Sequence, residues 1–288
     1  MNLRLKRRRF GQLALISAAT TALSSFAQKS FAQTSVLIYG VTPDSRGNGL
    51  ILQTLNLVSG QIQQRNLGRS LEAGERLSSL TLQSDGTFIV ATGPRTKRMA
   101  RARGRRSRLV SSGTQAPASP QGINRDGAFE SLLTTNDGKL LSIVSLNQGT
   151  PPFRFADVDR ITGQVSVRTE VDLPHNRRFS NLCQDTQGAL YATSLGSEGG
   201  TKLVQIDTVN RSIITGKAKI IPLAELSFNG EPLENDVADL AWSLSNQLFA
   251  LADPSFEGTN SLFIVDVKTG VMQFVRKFAV QKITFTRR

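Results

Sequence analysis

A segment of about fifty residues recurs in this 288-residue chain, and the recurrence restricts the fold more than any single motif does. Five apolar anchors mark it: Leu80, Leu132, Leu182, Leu240 and Ile283, at spacings of 52, 50, 58 and 43. Six residues past each of the first four stands a turn former, Gly86, Gly138, Gly188 or Asn246. Two residues further comes a second apolar position: Phe88, Leu140, Leu190 or Leu248. Asp85-Gly86 and Asp137-Gly138 suit tight hairpins, whose central residues need positive φ. The pattern predicts strand, turn, strand, four times over.

A second hairpin follows most copies. Leu52-x-x-Leu55-Asn56, Phe155-x-x-Val158-Asp159, Leu203-x-x-Ile206-Asp207 and Leu262-x-x-Val265-Asp266 share one spacing. Gly60, Gly163 and Gly270 stand four residues past the acid or amide, with Arg211 in the divergent copy. The Asp or Asn side chain can hold backbone amides of the turn, and Gly accepts its positive φ. These acids therefore have a structural explanation before a ligand is invoked.

The two ends complete one another. Residues 36–62 supply the last three strands of a unit and lack the first, whereas 280–286 supply a lone first strand. Joined, they would close a circular array with no open sheet edge. The arrangement resembles the β-propeller families, and the Asp-x-x-Thr-Gly turns at 159–163 and 266–270 are similar to those of quinoprotein-like and related bacterial propellers. The resemblance implies an all-β, five-bladed β-propeller, a single domain over 33–288, closed by the C-terminal strand against the N-terminal ones. It implies no one function, because that fold carries many. The unit at 77–118 has the faintest second hairpin, hinted at by Arg108-Leu109-Val110-Ser111.

Residues 1–32 read as a signal peptide. Arg4, Lys6, Arg7, Arg8 and Arg9 precede an apolar run too short to cross a bilayer core, and small-x-Ala sites suit cleavage near Ala27 or Ala32. Arg7-Arg8-Arg9-Phe10 resembles the twin-arginine pattern, departing from it at Lys6 and at Gly11-Gln12. Export to the periplasm is expected, or to a thylakoid lumen in a cyanobacterium. One cysteine, Cys183, excludes an intrachain disulfide, and its place beside an anchor reads as buried packing.

The formal charge of +13 is localised. Removing the six bases of the leader leaves +7, and removing the eight between 95 and 108 leaves −1. Those eight are Arg95, Lys97, Arg98, Arg101, Arg103, Arg105, Arg106 and Arg108. Their repulsion is expected to keep a loop at 94–108 extended and mobile. That loop is the expected contact for an acidic protein, an anionic membrane surface or a polyanionic glycan. Nucleic acid does not suit an exported chain without interleaved aromatics. The long loops at 42–49, 93–107, 145–152, 194–201 and 252–260, with the connections 172–178 and 221–236, all fall on one face, where binding is expected.

Binding or scaffolding by a monomer is thus the expected role, with no cofactor and no metal. One His, one Trp and two Tyr disfavour a quinoprotein-type cofactor pocket. The alternative is a glycan-active or other hydrolase with carboxylates at the channel mouth. Its weak catalytic candidates are Asp239, Glu130 and His175. Asp239 precedes its anchor by one residue and Glu130 by two, so on a regular pleat they point to opposite sides. Trp242 and Phe285, both two past an anchor, are expected to pack between blades.

Overall fold

The structure is a computed structural model that describes residues 36–45, 49–69, 71–72, 74–94, 107–113, 120–123, 127–147, 150–173, 177–196, 199–210 and 215–286. The expected signal peptide, His175 and every base from Arg95 to Arg106 lie outside those residues. Among the described residues there is no helix, and so none long and apolar enough to cross a membrane.

The described strands run in chain order through five blade sheets and one separate two-stranded sheet. The first unit begins with β1 (Leu37–Pro43), β2 (Leu50–Asn56) and β3 (Ile62–Asn66). The second holds β4 (Glu75–Leu82), β5 (Phe88–Pro94) and β6 (Arg108–Ser111). The third holds β7 (Ala128–Thr134), β8 (Leu140–Asn147), β9 (Thr150–Val158) and β10 (Val165–Glu170). The fourth holds β11 (Arg178–Gln184), β12 (Leu190–Leu195), β13 (Thr201–Asp207) and β14 (Lys219–Glu225). A short hairpin, β15 (Ser227–Phe228) with β16 (Glu231–Pro232), leads into the fifth: β17 (Asp239–Trp242), β18 (Leu248–Ala252), β19 (Ser261–Val265) and β20 (Met272–Lys277). Finally β21 (Lys282–Phe285) pairs antiparallel with β1, Ile38 opposite Phe285 and Gly40 opposite Ile283. The chain is a five-bladed β-propeller, and its last strand is the innermost strand of its first blade.

Burial follows from that geometry. Innermost strands have a neighbouring blade on either side, so β7 is buried at every position, whereas outermost β3 is exposed throughout. The core lies between blades rather than within them. Phe153, Phe155, Phe179 and Leu182 pack blade 3 on blade 4, and Leu203, Leu240 and Phe263 pack blade 4 on blade 5. Leu52, Leu80 and Phe88 join blades 1 and 2, and Ile89, Phe129 and Leu132 join blades 2 and 3. Cys183 is buried in the contact between blades 4 and 5. Trp242 packs on Tyr191 and Phe285 on Phe249, each across a blade boundary, with ring centroids 5.2 and 5.0 Å apart.

The turns form as their residues dictate. Asn56, Asp159, Asp207 and Asp266 each accept two backbone N–H groups through Oδ1, from residues two and three further on. Those bonds hold the carboxyls of Asp159, Asp207 and Asp266 below their ordinary range, Asp207 aided by the Asn210 side chain. They are turn braces. Gly270 shows how closely a turn can dock: a Cβ there would sit 2.0 Å from the Glu225 carbonyl oxygen of the preceding blade.

Two expectations are corrected. The segment 145–152 is no long loop, because β8 runs to Asn147 and β9 starts at Thr150. Its prolines are tolerated where the pairing breaks register between Ser145 and Asn147. The connection 221–236 is also shorter, since 219–225 form the fourth strand of blade 4.

Candidate functional site

The five innermost strands start at the long-loop end of the channel and run to the tight turns. One residue before each anchor stands a polar side chain: Ser79, Ser131, Asn181, Asp239 and Lys282. All five are buried. A polar group buried without a partner costs free energy, so each must be satisfied locally. The neighbouring blade does this. Ser79 Oγ donates to the Leu132 carbonyl at 2.6 Å, and Ser131 Oγ accepts from Leu182 N at 2.8 Å. Asn181 Nδ2 donates to the Val237 carbonyl at 2.7 Å. Asp239 Oδ2 accepts from Ile283 N, on the closing strand, at 2.8 Å. Lys282 Nζ reaches back across blade 5 to the Ala238 carbonyl and, at 3.4 Å, to Asn181 Oδ1. Four members of this circle of side chains thus bond to the backbone of the next blade, and Lys282 bonds back to that of blade 5.

Asn181 is held at φ 60, where a non-glycine residue is uncommon. Its amide also reaches Thr193 Oγ1 at 2.9 Å, and these bonds fix the unusual backbone.

Charge gathers just above this circle. Arg76 donates to Glu130 Oε2 at 3.0 Å, and Ser145 Oγ donates to Glu130 Oε1 at 2.5 Å. The carboxyls of Asp239, Asp236 and Glu130 all favour the charged form of Lys282, while Arg76 opposes it. Burial outweighs them and holds the Lys282 ammonium below its ordinary range. Burial likewise pushes Asp239 up to about 6, against the opposing effects of Lys282 and of the Ile283 and Leu240 amides. It raises Asp236 too, although Arg178, Lys282 and Arg76 oppose the rise.

Glu130 and Asp239 are therefore brought toward one ammonium, not to the opposite sides that an unbroken pleat would give them. Strand β7 has a bulge between Phe129 and Ser131, so the one-residue offset from the anchor no longer reverses the side chain. Arg76 and Lys282 were missed by reading for carboxylates alone. The signal was available for Lys282, which shares its place in the repeat with Asp239, Asn181, Ser131 and Ser79.

Behind the circle, a cavity between Leu80, Leu132, Leu182, Leu240 and Ile283 measures about 20 Å³, room for about one water. Among the described residues no group of three or more His, Cys, Asp or Glu is placed to hold a metal ion.

Arg108 is the one base of the 94–108 loop among the described residues. It opens β6 and makes a forked pair with Glu75, Nε to Oε1 at 2.8 Å and Nη2 to Oε2 at 2.6 Å. This pair raises the Arg108 guanidinium above its ordinary value. Glu75 is buried at the start of β4, beside Arg76. The C-terminal end of the basic loop is thus moored to the channel mouth.

No protein-family model matches this chain, and no curated protein matches it. Solved structures do. One of unknown function from Dyadobacter fermentans has a TM-score of 0.50 at 10% identity, covering 83% of this chain and 74% of that one. A calcium-binding protein, regucalcin, from Agrobacterium tumefaciens has a TM-score of 0.39 at 13% identity, covering 86% and 76%. A luciferin-regenerating enzyme has a TM-score of 0.43 at 12% identity, covering 88% and 97%. At these identities the likeness concerns the fold alone.

Proposed function

We propose that this protein is an exported binding or scaffold protein. Its long-loop face and the basic loop at 94–108 contact an acidic protein, an anionic membrane surface or a polyanionic glycan. The observation that carries this reading is the Arg108–Glu75 fork. It fixes one end of a segment holding seven further bases beside the channel mouth, where Arg76 and Arg178 add two more. A partner of opposite sign would be drawn to these bases, and attraction of that kind falls with salt.

The hydrolase reading draws on Glu130 and Asp239 and on the raised carboxyl of Asp239. Against it, Asp239 accepts from Ile283 N and Leu240 N, and Glu130 accepts from Arg76 and Ser145. These bonds engage both carboxylates in holding blades together.

The test is retention of the mature protein on its own membrane fraction across a salt gradient. The comparison is a variant with Arg101, Arg103, Arg105 and Arg106 changed to Gln. The variant is expected to release at clearly lower salt. An unchanged salt dependence removes the proposal.

A further inference from the structure

The outermost strand of a blade carries a row of backbone N–H and C=O groups, and a row left open can pair with another strand. Three of the four strands that complete a four-stranded blade interrupt that row. Strand β10 shifts its register on β9 between Val167 and Thr169. Strand β14 shifts on β13 at Leu203 and Val204, and Pro222 removes a donor from it. Strand β20 shifts on β19 at Leu262 and Phe263. Lys219 opens β14 and Lys277 closes β20. Bulges, prolines and lysines all blunt an edge against pairing.

Blade 1 lacks these devices. Its outermost strand, β3, keeps an unbroken register on β2 from Ile62 to Asn66 and contains neither proline nor lysine. All five of its residues are exposed, and among the described residues no strand pairs with its outer side.

The ends of β3 show which groups face outward. Leu67 N donates to the Leu50 carbonyl at 2.8 Å, and the Gln61 carbonyl accepts from Asn56 N at 2.9 Å. Backbone groups alternate in direction along an antiparallel strand. Residues 61, 63, 65 and 67 therefore turn theirs to β2, and Ile62, Gln64 and Asn66 turn theirs away from the blade.

The strand is also complementary to itself. A second copy related by a two-fold axis at Gln64 would set Gln64 opposite Gln64 and Ile62 opposite Asn66. These are the residues whose N–H and C=O point outward, so each opposed pair would exchange two backbone hydrogen bonds. The one charge of the strand, Arg65, would stand opposite Gln63 rather than its own copy. Like charges directly opposite destabilise a strand pair, and this register places none. Arg65 is in addition drawn aside, its guanidinium carbon 5.4 Å from the centre of the Phe88 ring.

We infer that the edge of β3 is a contact between two copies of this chain, an isologous dimer whose two first blades join in one continuous sheet. The monomer expected from the sequence is then the dilute form. The contact does not depend on the role proposed for the basic loop, which leaves from blade 2.

The experiment is sedimentation equilibrium of the mature protein over a concentration series reaching about 1 mM, where even a weak contact is populated. A monomer–dimer equilibrium is expected. Gln64→Glu sets two carboxylates opposite each other at the axis and Gln64→Lys two ammonium groups, so each should weaken its own dimer by about fivefold. An equimolar mixture of the two should dimerise more tightly than either alone. Gln64→Pro removes an outward N–H and spares the pairing with β2, so it should weaken the dimer by at least about tenfold. Unchanged melting of each variant at low concentration would show that blade 1 is intact. A monomer at every concentration overturns the inference, as does a dimer whose affinity none of the three substitutions moves.

Discussion

Asp239 was considered as an acid or base, and its surroundings give it another task. Its two oxygens hold Ile283 N and Leu240 N, so it ties the closing strand to blade 5. The same burial that raises its carboxyl to about 6 sets a pH dependence of stability. An unfolded carboxyl titrates near 3.9, so between about pH 4 and 6 the folded chain binds more protons at this site than the unfolded one. The contribution of this residue to stability is therefore full below pH 4 and falls as pH rises through 6. Two pKa units correspond to roughly 2–3 kcal/mol. Asp239→Asn mimics the protonated group and should lose the decline. Urea midpoints of the two proteins, measured from pH 4 to 7, are expected to lie close together near pH 4 and to diverge as pH rises, the wild type falling below the variant. A parallel pair of curves would show that another group carries the dependence.

At the scale of strands and turns, most of the architecture could be read from spacing alone. Anchor, turn former and second apolar position recur because each hairpin must present the same apolar places to its neighbours. The second hairpin was legible from its Asp and Gly, which make the braces expected of them. What escaped was where regularity breaks. The Pro151-Pro152 pair marks a bulged stretch of β9, not a loop, and nothing in its composition separates the two. The bulge at Glu130 was hidden as well, although apolar residues three apart, Phe129 and Leu132, cannot share a face on a regular pleat. At the mouth, Arg76 reaches Glu130 from a different blade, so no local pattern could reveal that pair. The tightest of these turn contacts gives a prediction. In Gly270→Ala the new methyl would meet the Glu225 carbonyl, on a backbone already at φ 75. Thermal melting should show a loss of at least about 1–3 kcal/mol, the usual range for overpacking. Gly86→Ala is the control, since a Cβ at Gly86 meets nothing within 4 Å and only its φ of 79 opposes the change. It should cost less.

For the whole molecule, closure is the decisive property. The strand β21 supplies Ile283 to the inner wall, Phe285 to the contact with Phe249, and Lys282 to the polar circle. Without it, β1 would present an open edge on the inner wall. Removing residues 282–288 should therefore abolish the single cooperative unfolding transition rather than lower its midpoint modestly. Circular dichroism during heating would check this, and a sharp melt in the truncated chain would show that four blades suffice.

The circle of side chains has a consequence for how such a chain can change. Its five members are Ser, Ser, Asn, Asp and Lys, and each is matched to the particular backbone group it faces. Blades that look interchangeable in outline are therefore keyed to their neighbours. Copying one blade in place of another would set donor against donor or strand a lysine without its carbonyl. A lineage carrying this wall can drift at its rim and loops, but it cannot shuffle, gain or lose a blade in one step without rewriting the keys on either side.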